Sequence, residues 1–95
     1  MGLDVEWDEE KAEDVERERG VAFEDAVTVF LDPLAITIPD VGHSTVEDRY
    51  ATIGTTRAGR LLVVIHADRG RRVRIITAWP ATPAERRSYE AHPRR

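Results

Sequence analysis

YATIGTTRAGRLLVVIHADRGRRVRIITAW, residues 50–79, holds three apolar runs separated by Arg57-Ala58-Gly59 and Asp68-Arg69-Gly70. Both intervals are short and contain glycine, which suits a β-hairpin, so the segment predicts three consecutive antiparallel strands. Leu61 to Ile65 is apolar without a break, the pattern of a strand covered on both faces, and should lie centrally. The next strand alternates. Val73 and Ile75 point one way, while Arg72, Arg74 and Ile76 point the other. Two arginines about 7 Å apart are thereby displayed on one face.

Working outward, Leu3, Val5 and Trp7 alternate with acids and read as a short strand. Asp8 is a suitable N-cap for the helix that follows, which carries acids in its first turn and stops at Gly20. Its apolar stripe, Ala12 and Val15, is thin and predicts a surface helix. Phe23, Ala26, Val27 and Phe30 have helical spacing, and this second helix must end before Pro33. LAITIPD is a short strand, and DVGHSTVED a polar loop. Near the C-terminus, Thr82, Pro83 and Glu85 form a capping-box pattern for a last helix running to about Ala91. The chain is thus expected to be a single small α+β domain over residues 1–95. Its sheet is mostly antiparallel, with two N-terminal helices and one C-terminal helix.

A chain of 95 residues buries only a modest core, so a partner or a dimer would add stability. With no cysteine, and histidines only at 43, 66 and 92, neither a metal nor a cofactor is expected. No apolar run approaches the roughly 18 to 20 residues that span a membrane, and MGLDVEWDEE is unlike a signal peptide. A cytoplasmic location without membrane contact follows as the expectation. The net charge of −4 conceals an asymmetry: residues 1–48 carry 15 acids and 3 bases, residues 49–95 carry 3 acids and 11 bases. Either the C-terminal half offers a basic surface to phosphate or an acidic partner, or acidic helices neutralise basic strands inside the domain. The bases are 13 arginines and Lys11. Arginine suits bidentate phosphate contacts, although a GC-rich coding sequence also favours it.

The runs VEWDEEKA, GVAFEDAVTVFLDPLA, HSTVEDRYATIG, GRLLVVIHADRG, RIITA and ERRSYE together resemble the BrnT family of small toxins over about residues 5–90. The resemblance implies a RelE-like fold and a type II toxin–antitoxin component that cleaves RNA without metal, inhibiting translation and growth. It also implies a BrnA-like ribbon-helix-helix antitoxin as partner, binding to operator DNA through that antitoxin, and a possible dimer within the complex.

Such cleavage needs a base for the 2′-hydroxyl, positive donors around the phosphorane and an acid for the departing oxygen. Arg72 and Arg74 are candidates for the charge-stabilising role, or else form an ion-paired strand face. His66 could be general acid or base, or a structural histidine ending an apolar strand. Tyr89 could stack a base or donate a proton, or simply pack its helix; Glu85 and Arg86 can share its face. Lys11, in WDEEK, fits the family's W-D-x-x-K pattern and is a candidate RNA contact together with Arg86 and Trp79. His43, Glu47 and Arg49 fit an H-S-x-x-E-x-R pattern, read as an ion pair between Glu47 and Arg49 with His43 a lesser candidate.

Two places depart from the family pattern. Glu18 and Arg19 stand before Gly20 where Lys-His is usual, and Thr77-Ala78-Trp79 stands where Ser-Ala-Arg is usual. Trp79 cannot supply an arginine's charge, so the alternative expectation is a weakened or inactive toxin homologue that binds the antitoxin as a corepressor.

Overall fold

A computed structural model describes residues 4–40 and 48–92. The candidates His43 and Glu47 fall outside them. The chain runs β1 (Asp4–Trp7), α1 (Glu9–Arg19), α2 (Phe23–Ala26), β2 (Ile36–Pro39), β3 (Arg49–Thr55), β4 (Leu61–Arg69), β5 (Arg72–Pro80) and α3 (Pro83–Ala91). The strands form one sheet in the order β1-β5-β4-β3-β2, antiparallel except where β1 runs parallel to β5. The α+β class and the central position of β4 are as the sequence predicts. The parallel edge strand is new.

Local chemistry sets the element ends. The Asp8 side chain accepts from the Lys11 backbone N–H at 3.2 Å, and Gly20 closes α1 at φ 68° with its N–H on the Glu16 carbonyl. At α3, Thr82 Oγ1 accepts from Glu85 N–H at 3.2 Å while Glu85 Oε1 accepts from Thr82 N–H at 2.8 Å, completing the capping box. The second helix is shorter than expected: after one α-turn, Val27–Leu31 tightens into a 3-10 helix. Val27, Thr28 and Val29 are β-branched, and Thr28 Oγ1 donates to the Asp25 carbonyl at 2.6 Å, which disfavours continuation as an α-helix.

Two apolar layers sandwich the sheet. On one face Leu62, Val64, Val73, Ile75 and Ala78 meet Ala12, Val15, Val21, Phe23, Ala26 and Val29 from the N-terminal helices. Trp7 packs edge-on to Phe23 at 5.7 Å between centroids. On the other face Ile53, Leu61, Val63 and Ile65 meet Ile76, Trp79 and Tyr89. A β-bulge joins the two arrangements: Ile65 pairs with Thr77 and His66 with Ile75, which leaves Ile76 as the extra residue. Without it, alternation would carry Trp79 to the Val73 face; the extra residue returns Trp79 to the side of Arg72 and Arg74.

Candidate functional site

The parallel pairing of β1 with β5 creates the first concave site. Glu6 lies opposite Arg74, and Asp4 opposite Arg72. Val5 and Trp7 turn into the helical layer, so alternation sends Glu6 to the arginine face. There Arg72 Nη1 donates to Glu6 Oε1 at 3.1 Å. Where β1 ends, α1 begins, beside the bulged residue Ile76 of β5. The result is a cavity of about 620 Å³ lined by Glu6, Trp7, Asp8, Lys11, Arg74, Ile75 and Ile76. Lys11 from a helix and Arg74 from a strand thus reach the same hollow, one exposed and the other half-buried. Such an arrangement can hold an anion with two cations while Trp7, Ile75 and Ile76 lower the local dielectric.

The other candidates go elsewhere. His66 is 2% exposed and sits on the helical face, opposite Ile75, away from the face bearing Arg72 and Arg74. Its Nδ1 donates to Asp68 Oδ1 at 2.7 Å. In the neutral ring Nε2 accepts from Thr52 Oγ1 at 2.8 Å, and Thr37 Oγ1 stands 2.7 Å from Thr52 Oγ1. Tyr50 stacks on the ring and Phe30 meets it edge-on. Tyr89 Oη donates to Asp32 Oδ2 at 2.6 Å and accepts from Thr55 Oγ1 at 3.4 Å.

Helix α3 divides the group that its spacing placed on one face. Glu85 and Tyr89 turn toward the sheet, whereas Arg86 turns to Glu90, 3.8 Å away, with both side chains more than half exposed. The Trp79 indole N–H donates to Glu85 Oε1 at 3.1 Å. Over its ring, 5.6 Å from the centroid, lies the Arg19 guanidinium, whose Nη1 also donates to the Ala78 carbonyl at 3.3 Å. On α1, Asp14 hydrogen-bonds Arg17 and raises its pKa further, so that guanidinium stays charged on an exposed surface.

A second cavity, about 770 Å³ and mostly apolar, opens between the sheet and α3, where Ile38, Ile53, Ile65, Ile76 and Trp79 form its wall. Among the described residues no cluster of three His, Asp or Glu could hold a metal, and no helix is long and apolar enough to cross a membrane. Sequence reasoning missed Glu6 and Asp8 as walls of the first cavity. The alternation of β1 already set Glu6 apart from Val5 and Trp7, but nothing local showed which strand would lie beside it.

A family model described as "Ribonuclease toxin, BrnT, of type II toxin-antitoxin system" matches residues 7–85. Among solved structures the chain is similar to the Brucella abortus ribonuclease toxin BrnT, with a TM-score of 0.65 and 20% identity, covering 85% of this chain and 99% of that one. At that identity the likeness speaks for the fold. No curated protein matches.

Proposed function

The chain belongs to the BrnT family of ribonuclease toxins of type II toxin–antitoxin systems, and from that premise we propose that it cleaves RNA without a metal at the cavity between β1, α1 and β5. The observation that carries the reading is the convergence of Lys11 and Arg74 on that hollow. A phosphodiester there would have its non-bridging oxygens between an ammonium and a guanidinium. As the 2′-oxygen attacks phosphorus, charge accumulates on those oxygens, and fixed cations in a partly water-excluded site favour that state over the ground state. Glu6 is the carboxylate proposed to take the 2′-hydroxyl proton, since Asp8 is engaged as the cap of α1; as the bond from phosphorus to the 5′-oxygen breaks, that oxygen would leave with a proton from water. Arg72, paired with Glu6, would orient it. A BrnA-like antitoxin silences the toxin and carries the complex to operator DNA.

The test is purified chain, freed of antitoxin and incubated with RNA in EDTA. Cleavage is expected, and Arg74→Ala should lower its rate by about 100- to 1,000-fold. Absence of both cleavage by the parent and growth arrest on induction would sink the catalytic reading. A second reading, the antitoxin-binding corepressor, is favoured by one observation. Trp79, where the family has arginine, is fixed by Glu85 and covered by Arg19, so the position is committed to structure. That reading predicts operator affinity that rises on adding the chain to antitoxin, with no RNA cleavage; an unchanged gel shift would exclude it.

A further inference from the structure

The strand order leaves β2 at one edge of the sheet. Edge strands in soluble proteins are commonly blunted by charge, by proline or by being very short; β2, Ile-Thr-Ile-Pro, is short and ends in proline but carries no charge. The exposed large apolar side chains among the described residues lie on β2 or in the segment leading into it: Leu31 at 69%, Leu34 at 37% and Ile38 at 51%. Ile36 and Ile38 belong to the rim of the 770 Å³ apolar cavity, so among the described residues the open edge and the hollow are continuous.

The ladder shows what the edge can bind. Ile36 lies opposite Ile53, Thr37 opposite Thr52, Ile38 opposite Ala51 and Pro39 opposite Tyr50. One step further, the Asp40 N–H donates to the Arg49 carbonyl at 2.8 Å. Hydrogen-bonded pairs alternate along an antiparallel ladder, so Ile38 and Ile36 also bond to β3, while the backbone groups of Thr37 and Pro39 face outward. The outward set is one donor, Thr37 N–H, and two acceptors, the carbonyls of Thr37 and Pro39. Proline has no N–H to offer, and the Ala35 N–H is taken by the Asp32 carbonyl at 3.1 Å. A second copy pairing about Thr37 would gain only the two reciprocal Thr37 bonds. A foreign strand, with free donors of its own, would gain three. Charge leans the same way: Asp40 and Glu85 line the cavity with a single arginine, Arg49.

We propose that the free edge of β2 is the docking site for an extended segment of the antitoxin, which joins the sheet beyond β2. The segment carries apolar side chains at alternate positions, seated over the cavity beside Ile36 and Ile38, and lysine or arginine at its flanks. The proposal rests on the toxin–antitoxin reading of the family. Main-chain hydrogen bonds supply affinity and the alternate pockets supply specificity.

The experiment uses the full chain co-expressed with the antitoxin of the adjacent reading frame. In the parent, the Thr37 amide should exchange quickly with solvent when free and become protected in the complex. Thr37→Pro removes the outward donor without touching the backbone bonds to β3, and should weaken binding by about 10- to 100-fold; it also removes the hydroxyl bonded to Thr52. Thr37→Val keeps the amide and removes only the hydroxyl, so binding should stay within about threefold. Ile38→Lys should weaken binding through repulsion by the basic flanks. RNA cleavage by the free variants separates the two readings, since it stays at the parent's level if only docking is lost. An unprotected Thr37 amide in the complex, or tight binding by Thr37→Pro, overturns the proposal. So does a free chain that sediments as a dimer and becomes a monomer on Thr37→Pro, because the edge is then occupied by a second copy. Failure of the parent to bind the antitoxin overturns it too, while growth arrest in that case leaves the ribonuclease reading standing.

Discussion

Replacing Tyr89 by phenylalanine separates a packing role from a chemical one. The ring sits in the apolar layer opposite the N-terminal helices, with Ile53, Val63 and Ile65, and phenylalanine retains that packing. What disappears is the 2.6 Å bond from the hydroxyl to Asp32 Oδ2, together with the longer 3.4 Å bond it accepts from Thr55 Oγ1. The same carboxylate accepts from the Thr55 N–H on Oδ2 and from the Leu34 N–H on Oδ1, both at 2.9 Å, so it is not left without donors. The loss is therefore dominated by one charge-assisted bond, about 1.5 kcal/mol. For a domain of this size that lowers Tm by roughly 6 to 12 °C. Asp32→Ala removes these three bonds and leaves three donors without that acceptor, costing about 3 kcal/mol or more. In that background Tyr89→Phe should cost less than about 0.5 kcal/mol, because its partner is already gone. Urea unfolding of the four proteins in the cycle measures the coupling, and RNA cleavage is assayed beside it. If Tm holds and cleavage falls by about 100-fold or more, the hydroxyl acts on substrate and the structural assignment is wrong.

Gly54→Ala would bring a Cβ to 3.1 Å from Val29 Cβ and 3.2 Å from both Ala35 Cβ and the Val29 carbonyl oxygen. The 3-10 helix must then move off β3, at a cost of about 1 to 3 kcal/mol in chemical denaturation; an unchanged midpoint would contradict the tight packing described here. Lys11→Ala should reduce the salt dependence of single-stranded RNA binding by about 0.7 in the slope of log K against log salt, as loss of one phosphate contact requires. An unaltered slope places Lys11 outside the RNA path.

Much of the fold is legible because its determinants are local. Asp8, Gly20 and the Thr82-Pro83-Glu85 run act within one helical turn, and each does in the structure what its chemistry demands. Leu61 to Ile65 announce a doubly covered strand by composition alone. The parallel docking of β1 on β5 is not local. It joins residues almost seventy positions apart, and with it comes the cavity that gathers Glu6, Lys11 and Arg74. The bulge at Ile76 depends on how β4 meets β5, so a reading of β5 alone leaves Trp79 on the wrong face. His66 illustrates the same limit: the sequence supplies its chemistry, whereas pairing with Ile75 sends it to the buried face.

The two departures from the family pattern are one feature in space. Arg19 comes from the end of α1 and Trp79 from β5, yet the guanidinium covers the indole ring and hydrogen-bonds the carbonyl just before it. In this chain the cation beside position 79 comes from the helix, with Arg19 packed on Trp79. Restoring Trp79→Arg alone would set a second guanidinium against Arg19. The available carboxylate, Glu85, already accepts the Thr82 N–H as part of the α3 capping box. Like charges about 5 Å apart near a protein surface repel by a few kcal/mol before screening. The single variant should therefore lose stability and gain no cleavage. Arg19→His combined with Trp79→Arg removes the conflict, and if the lost arginine limits activity, growth arrest should appear in the double variant only. Arrest with Trp79→Arg alone would show that the two positions act independently, and that the contact between them is incidental to catalysis.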